Sequence, residues 1–169
     1  MSLVRRVIAV THSQYYLAEL GALSSANPEM YRGFNGLISS NGKLGIIMTG
    51  TESGPVSVGA QWLENEPAPS LDPWDEVVEV SMRFPVHGGV VFGPVDTKAD
   101  ERLIPMLEPG SYRVRVHARG RDAGQALGMT ADAANGPVEE HLLLAWPARP
   151  APERVHKLTD AYGAGIRAR

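Results

Sequence analysis

The residues best placed to do chemistry sit on alternate positions of one run, residues 107–122. Arg113, Arg115, His117 and Arg119 fall on one side of a two-residue period, and Tyr112, Val114, Val116 and Ala118 on the other. With Arg121 just beyond, this is a ladder of cations of the kind a phosphate-gripping strand needs, because guanidinium forks match phosphate oxygens in pairs. Nucleic acid is nonetheless not the expected partner. The chain has a net charge of −3, and no aromatic residues interleave with the arginines on their own face to stack bases.

Five histidines, His12, His87, His117, His141 and His156, offer imidazoles for metal binding or proton transfer. They show neither His-x-His nor His-Glu-x-x-His spacing, so no metal and no cofactor is expected. His117 and His141 fall on strands expected to pair, where they read as exposed surface residues. The chain has no cysteine, which excludes thiolate catalysis, closed cysteine zinc sites and disulfides, and fits a reducing cytoplasm. No Gly-x-Ser-x-Gly elbow is present, and Gly120, Gly124 and Gly128 are spaced for neither a dinucleotide fingerprint nor a P-loop. Carboxylate pairs such as Asp72 with Asp75, or Glu139 with Glu140, have the chemistry for acid–base work, but nothing in the sequence puts them in a cleft. An enzyme is not the expected reading.

Charge is unevenly distributed. Between Lys43 and Arg83 there is no base, while Glu52, Glu64, Glu66, Asp72, Asp75, Glu76 and Glu79 give that stretch −7; the rest of the chain holds 16 bases against 12 acids. Two readings follow. The acids neutralise the arginine ladder across a sheet, as opposite charges on neighbouring strands do, or they form an acidic face for a basic partner.

The elements that must position these groups read as strands. Residues 3–10 alternate and suit an edge position; residues 56–63 carry Val56, Val58, Ala60 and Trp62 on one side, with Trp62 in the core. Residues 77–84 place Val78, Val80, Met82 and Phe84 inward and Glu79, Ser81 and Arg83 outward. Asn41-Gly42 suits a type I′ hairpin turn. Three prolines, Pro67, Pro69 and Pro73, make residues 64–75 a surface crossover. Residues 93–107 read as a polar connection with a helical turn near 100–103, and residues 120–136 as a long connection, mobile or functional. Leu142, Leu143 and Leu144 suggest a strand buried on both faces. Beyond Pro147, Pro150 and Pro152, residues 153–169 place Val155, Leu158, Tyr162 and Ile166 on one helical stripe. The N-terminal apolar run is too short for a signal peptide, and no stretch approaches the ~20 apolar residues of a membrane helix.

The order of these features, His12-Ser-Gln-Tyr15, the hairpin and strand up to Trp62, residues 76–84, the turn Pro109-Gly-Ser-Tyr112 and a Glu-rich entry to the last long strand, resembles the competence-associated nuclease inhibitors of the ComJ type over residues 5–148. That resemblance implies a β-sandwich that binds and blocks a DNA-degrading nuclease. An acidic loop would then offer carboxylates where the nuclease holds phosphates.

The expectation is an all-β chain: a two-sheet antiparallel β-sandwich over residues 1–148, then a proline linker and C-terminal α-helix over 149–169 packed on the same domain or on a second copy as a homodimer contact. Its expected function is the binding of a basic protein partner, a nuclease as the resemblance implies, through Glu64, Glu66, Asp72, Asp75 and Glu76. The alternative is a small-molecule or carbohydrate-binding sandwich using Tyr15, Tyr16 and Trp74, and a third reading is an enzyme with a histidine–carboxylate site. The ratio of 13 Arg to 3 Lys suggests a GC-rich bacterial genome.

Overall fold

The computed structural model describes residues 2–19, 21–94, 104–130 and 135–169. Strands β1 (Val4–Val10), β5 (Gly54–Trp62), β6 (Glu76–Phe84), β9 (Gly110–Arg119), β10 (Glu140–Pro147) and β11 (Arg154–Leu158) form a six-stranded sheet in the order β1-β5-β10-β9-β6-β11. A second sheet holds β2 (Gln14–Glu19), β3 (Ile38–Ser40), β4 (Leu44–Met48), β7 (Gly89–Phe92) and β8 (Ile104–Leu107) in the order β3-β4-β2-β7-β8. The sandwich is as expected, with one difference: β5 and β10 pair in parallel, so the larger sheet is mixed.

The two-residue period decides which side chains meet between the sheets. Val56, Val58 and Ala60, Val78, Met82 and Phe84, Val114, Val116 and Ala118, and Leu143 and Ala145 pack against Ile8, Tyr15, Leu17, Ile38, Ile47 and Val91 in one apolar core. Trp62 packs at its margin, half-buried. A smaller cluster of Tyr16, Ala18, Met30, Leu44 and Ile46 lies on the opposite side of the second sheet.

Several local expectations change. Residues 153–169 are not one helix: Arg154, Val155, Lys157 and Leu158 pair with Glu79, Val78, Val77 and Glu76 around a bulge. Helix α2 (Ala161–Arg167) starts only after Asp160, whose side chain accepts from Gly163 N at 2.7 Å. Within 120–136 the chain forms helix α1 (Arg121–Leu127) and a 3-10 turn at Gly128–Thr130. The Asn41-Gly42 hairpin exists, but only Gly42 has a positive φ (95°). The Asn41 carboxamide instead accepts from Lys43 N and Leu44 N, at 3.0 and 2.8 Å, so this is not a type I′ turn. Leu143 is buried, whereas Leu142 and Leu144 are half-buried on the outer face. The helical turn expected near 100–103 lies outside the described residues.

Candidate functional site

The outward face of β9 is covered, not open. Residues 63–75 run across it, held at one end by Leu63 N on Ala145 O (2.8 Å) and at the other by Asp75 N on Ala118 O (2.9 Å). Arg115 reaches up through the sheet surface and donates from Nη1 to Pro67 O at 3.0 Å, while its guanidinium lies 4.9 Å from the Trp146 ring. Trp74 seals the far end, 5.4 Å from the His117 ring and under the Arg119 guanidinium at the same distance. His117, expected at the surface, is therefore buried, and burial pushes its imidazole down to about 4 against the support of its bond to Leu142 O (3.1 Å).

The arginines beneath the crossover are paired. Glu79 accepts from Arg113 Nε at 2.9 Å, from Arg115 Nε at 3.1 Å and from His156 Nε2 at 3.1 Å, and Arg119 pairs with Glu140. Burial alone would raise the Glu79 carboxyl, but the bonds from His156, Arg113 and Arg115 outweigh it and hold it below the ordinary carboxylate value. Arg115 Nη2 is buried without a hydrogen bond, with Glu66 Oε1 at 3.5 Å.

The expected acidic residues separate into two groups. Glu64, Glu66 and Asp72 project from the crossover into solvent, with the Asp72 side chain 100% exposed. Asp72 has Lys157 Nζ at 3.6 Å and Glu66 has Arg154 Nη1 at 3.5 Å, both loose surface pairs. Asp75 is half-buried and accepts from Gly120 N at 3.1 Å, which ties the crossover to the start of α1. Beside it opens a polar groove of about 610 Å³ whose lining includes Ser57, Asp75, Arg119, Gly120, Glu139 and Glu140. Glu76 is elsewhere. As the first residue of β6 its side chain is wholly buried, where it accepts from Asp160 N (3.1 Å) and Arg167 Nη1 (3.1 Å) and takes no part in the exposed face.

The aromatic candidates are also apart. Tyr15 is buried between the sheets, Tyr16 lies on the other side of the same strand, and Trp74 is beyond the six-stranded sheet. Tyr15 belongs to a line of buried groups that sequence reading missed: its hydroxyl is 2.9 Å from His141 Nδ1, and His141 Nε2 is 2.7 Å from Glu139 Oε1. Glu139 also accepts from Gly50 N and Thr51 N, at 3.1 and 2.8 Å. Burial would raise its carboxyl, but His141 leads the bonds that keep it low. All three side chains are fully buried and the line joins the two sheets, with Glu139 also among the residues that line the polar groove. His117 and His141, on neighbouring strands, point to opposite faces and do not meet. Among the described residues no group of three or more His, Cys, Asp or Glu could hold a metal ion.

No family model and no curated protein matches the chain. Solved structures do. The crystal structure of ComJ from Bacillus subtilis, the inhibitor of the DNA-degrading activity of NucA, superposes with a TM-score of 0.56 over 86% of this chain and 96% of that one, at 9% identity. The chain has the ComJ fold. The structure described as crocagin biosynthetic gene J shares it, with a TM-score of 0.55, 17% identity and coverage of 88% of this chain and 100% of that one. The resemblance read from the order of strands and turns thus reappears in three dimensions. Within the ComJ fold, no helix among the described residues is long and apolar enough to cross a membrane.

Proposed function

We propose that the chain is a non-catalytic protein-binding module of the nuclease-inhibitor kind, which presents the crossover carrying Glu64, Glu66, Asp72 and Asp75 to a basic protein partner. The observation that carries this reading is the crossover itself: an acid-only segment exposed on its outer side and anchored beneath by the buried Arg115 and by Trp74 packed under Arg119. An anchored loop loses little conformational freedom on binding, so its carboxylates meet a cationic surface already ordered. A nuclease is cationic where it holds DNA, and carboxylates on a firm support can stand in for phosphates there. The fold shared with the NucA inhibitor supports the same class of function. Glu76 drops out of the binding set because its carboxylate is internal.

The test combines the purified chain with DNA-degrading nucleases of its own source and follows plasmid degradation. At least one nuclease should be silenced stoichiometrically, with inhibition weakening as salt rises, and Glu64→Lys with Glu66→Lys and Asp72→Lys should relieve it while the fold is kept. Undiminished degradation by every nuclease, or inhibition untouched by the triple variant, would overturn the proposal.

A further inference from the structure

Strand β1 ends the six-stranded sheet, and its neighbour shows which of its backbone groups are free. Ser57 N donates to Glu139 O, and Leu63 N, just past β5, to Ala145 O, so the odd-numbered residues of β5 turn toward β10. Successive residues of a strand direct their N–H and C=O to alternate sides. Val56, Val58 and Ala60 therefore turn toward β1, where they meet Ile8, Arg6 and Val4. Arg5, Val7 and Ala9 are left with their N–H and C=O groups pointing away from the sheet.

Apart from the charges of Arg5 and Arg6, this edge carries none of the usual guarding devices among the described residues. Its register with β5 is unbroken over seven pairs, and β1 itself has neither bulge nor proline. By contrast, β11 at the other end of the sheet is bulged between Val155 and Lys157, and β3 has three residues. Among the described residues one hydrogen bond engages its outward groups: Arg6 Nη1 donates to the exposed Arg5 carbonyl at 2.9 Å. An exposed bond of this kind exchanges for a strand partner at little net cost.

We propose that β1 pairs with β1 of a second copy, antiparallel about a two-fold axis at Val7. Register arithmetic selects that axis. Centred on Val7, Val4 faces Val10 of the other copy, Arg5 faces Ala9, Arg6 faces Ile8 and Val7 faces itself, so all seven residues pair and no arginine opposes another. An axis on Arg5 or Arg6 sets guanidinium against guanidinium, which is unfavourable, and an axis on Ile8 leaves the start of the strand unpaired. The Val7 axis also makes Arg5 with Ala9, and Val7 with Val7, the hydrogen-bonded pairs, which are the residues whose backbone groups are free. Val7 is 54% exposed in the single chain, and this pairing covers it. The contact joins two six-stranded sheets edge to edge and leaves the acidic crossover, over β6 and β9, free in both copies.

The chain has no cysteine, so each introduced thiol stands alone. Directly opposed residues of an antiparallel pair lie within disulfide reach. Under mild oxidation Val7→Cys should form a disulfide dimer nearly completely; Arg5→Cys and Ala9→Cys should each stay uncrosslinked alone and crosslink when mixed. In sedimentation the unmodified chain should run as a dimer, and Val7→Lys, which places two ammonium groups on the axis at an exposed position, should shift it to monomer with its circular dichroism unchanged. A chain that sediments only as a monomer would overturn the proposal, as would a dimer that resists Val7→Lys or a thiol pattern that ignores the register.

Discussion

Arg115 and Glu79 face each other in register across β9 and β6, Nε to Oε2 at 3.1 Å, with side chains 0% and 2% exposed. The same carboxylate serves Arg113 and His156, so one acid holds together a cationic cluster that would otherwise repel itself in a dry place. This is where the cationic ladder goes. Arg113 and Arg115 spend their charges inside the protein, Arg115 beneath the crossover and Arg113 against Ala151 and Pro152, while Arg119 stays partly exposed beside Glu140.

Removing Glu79 should therefore cost far more than an ordinary ion pair. Glu79→Ala leaves two buried guanidiniums without their carboxylate, and breaking such a pair from one side costs ~3–5 kcal/mol. Glu79→Gln keeps the shape and some hydrogen bonds and should fall between. Urea denaturation at neutral pH measures both, and a loss in Glu79→Ala no larger than that of a surface pair would contradict the account.

How much of this was legible beforehand depends on the distance over which the chain signals. The apolar side of β9 could be read because alternation is local, and Tyr112, Val114, Val116 and Ala118 are all in the core. The partner of the ladder could be guessed from charge balance alone, but not which acid, because an outward strand position such as that of Glu79 does not show that a crossover will cover and bury it while Glu66 stays exposed. Arg121 could be read only as the last cation of the ladder. It opens a Gly- and Ala-rich connection, and its role appears only when Asp160, 39 residues on, folds back to it. The strand at Arg154–Leu158 was misread for a related reason: its helical stripe is real as spacing, but pairing with β6 overrides it.

Arg121 should control the C-terminal segment. Its fork donates to Asp160 at 2.6 and 2.9 Å and its Nη1 to Gly36 O at 2.8 Å, while Tyr162 stacks on it at 5.0 Å. Arg121→Met should release the region around α2, and Arg121→Lys should keep the charge but lose the two-pronged grip. Amide exchange would show accelerated exchange concentrated in residues 159–167; uniform loss of protection throughout both sheets would point to a different role.

Two buried groups give opposite dependences on pH. Burial, with Asp160 adding to it against Arg121 and Arg167, pushes the Glu76 carboxyl up to about 7. A raised folded value means that its contribution is present below the unfolded value and is lost as pH rises through about 7. His117, lowered to about 4, behaves in reverse: its contribution is present above 6.5 and is lost as pH falls through about 4. Thermal unfolding from pH 4 to 8 should show Glu76→Gln flattening the alkaline side of the profile and His117→Asn the acid side. Either variant flattening the other limb would reverse the assignment.

The last test uses one substitution at two helical glycines. At Gly165 in α2 a methyl group would meet nothing within 4 Å, so Gly165→Ala should stabilise by ~0.5–1 kcal/mol through the lost freedom of the unfolded chain. At Gly124 in α1 the same methyl would lie 2.6 Å from both Glu139 Oε2 and Thr51 Oγ1 and 2.8 Å from Thr51 N. The backbone nitrogen cannot swing aside, and Glu139 is held by His141, Gly50 and Thr51. Gly124→Ala must then lift α1 or break those bonds, and should destabilise by ~1–3 kcal/mol despite its better helix propensity. Equal effects at the two glycines would mean that α1 does not rest on the Glu139 carboxylate; opposite signs, read from chemical denaturation, would show that the close approach of α1 to Glu139 requires glycine.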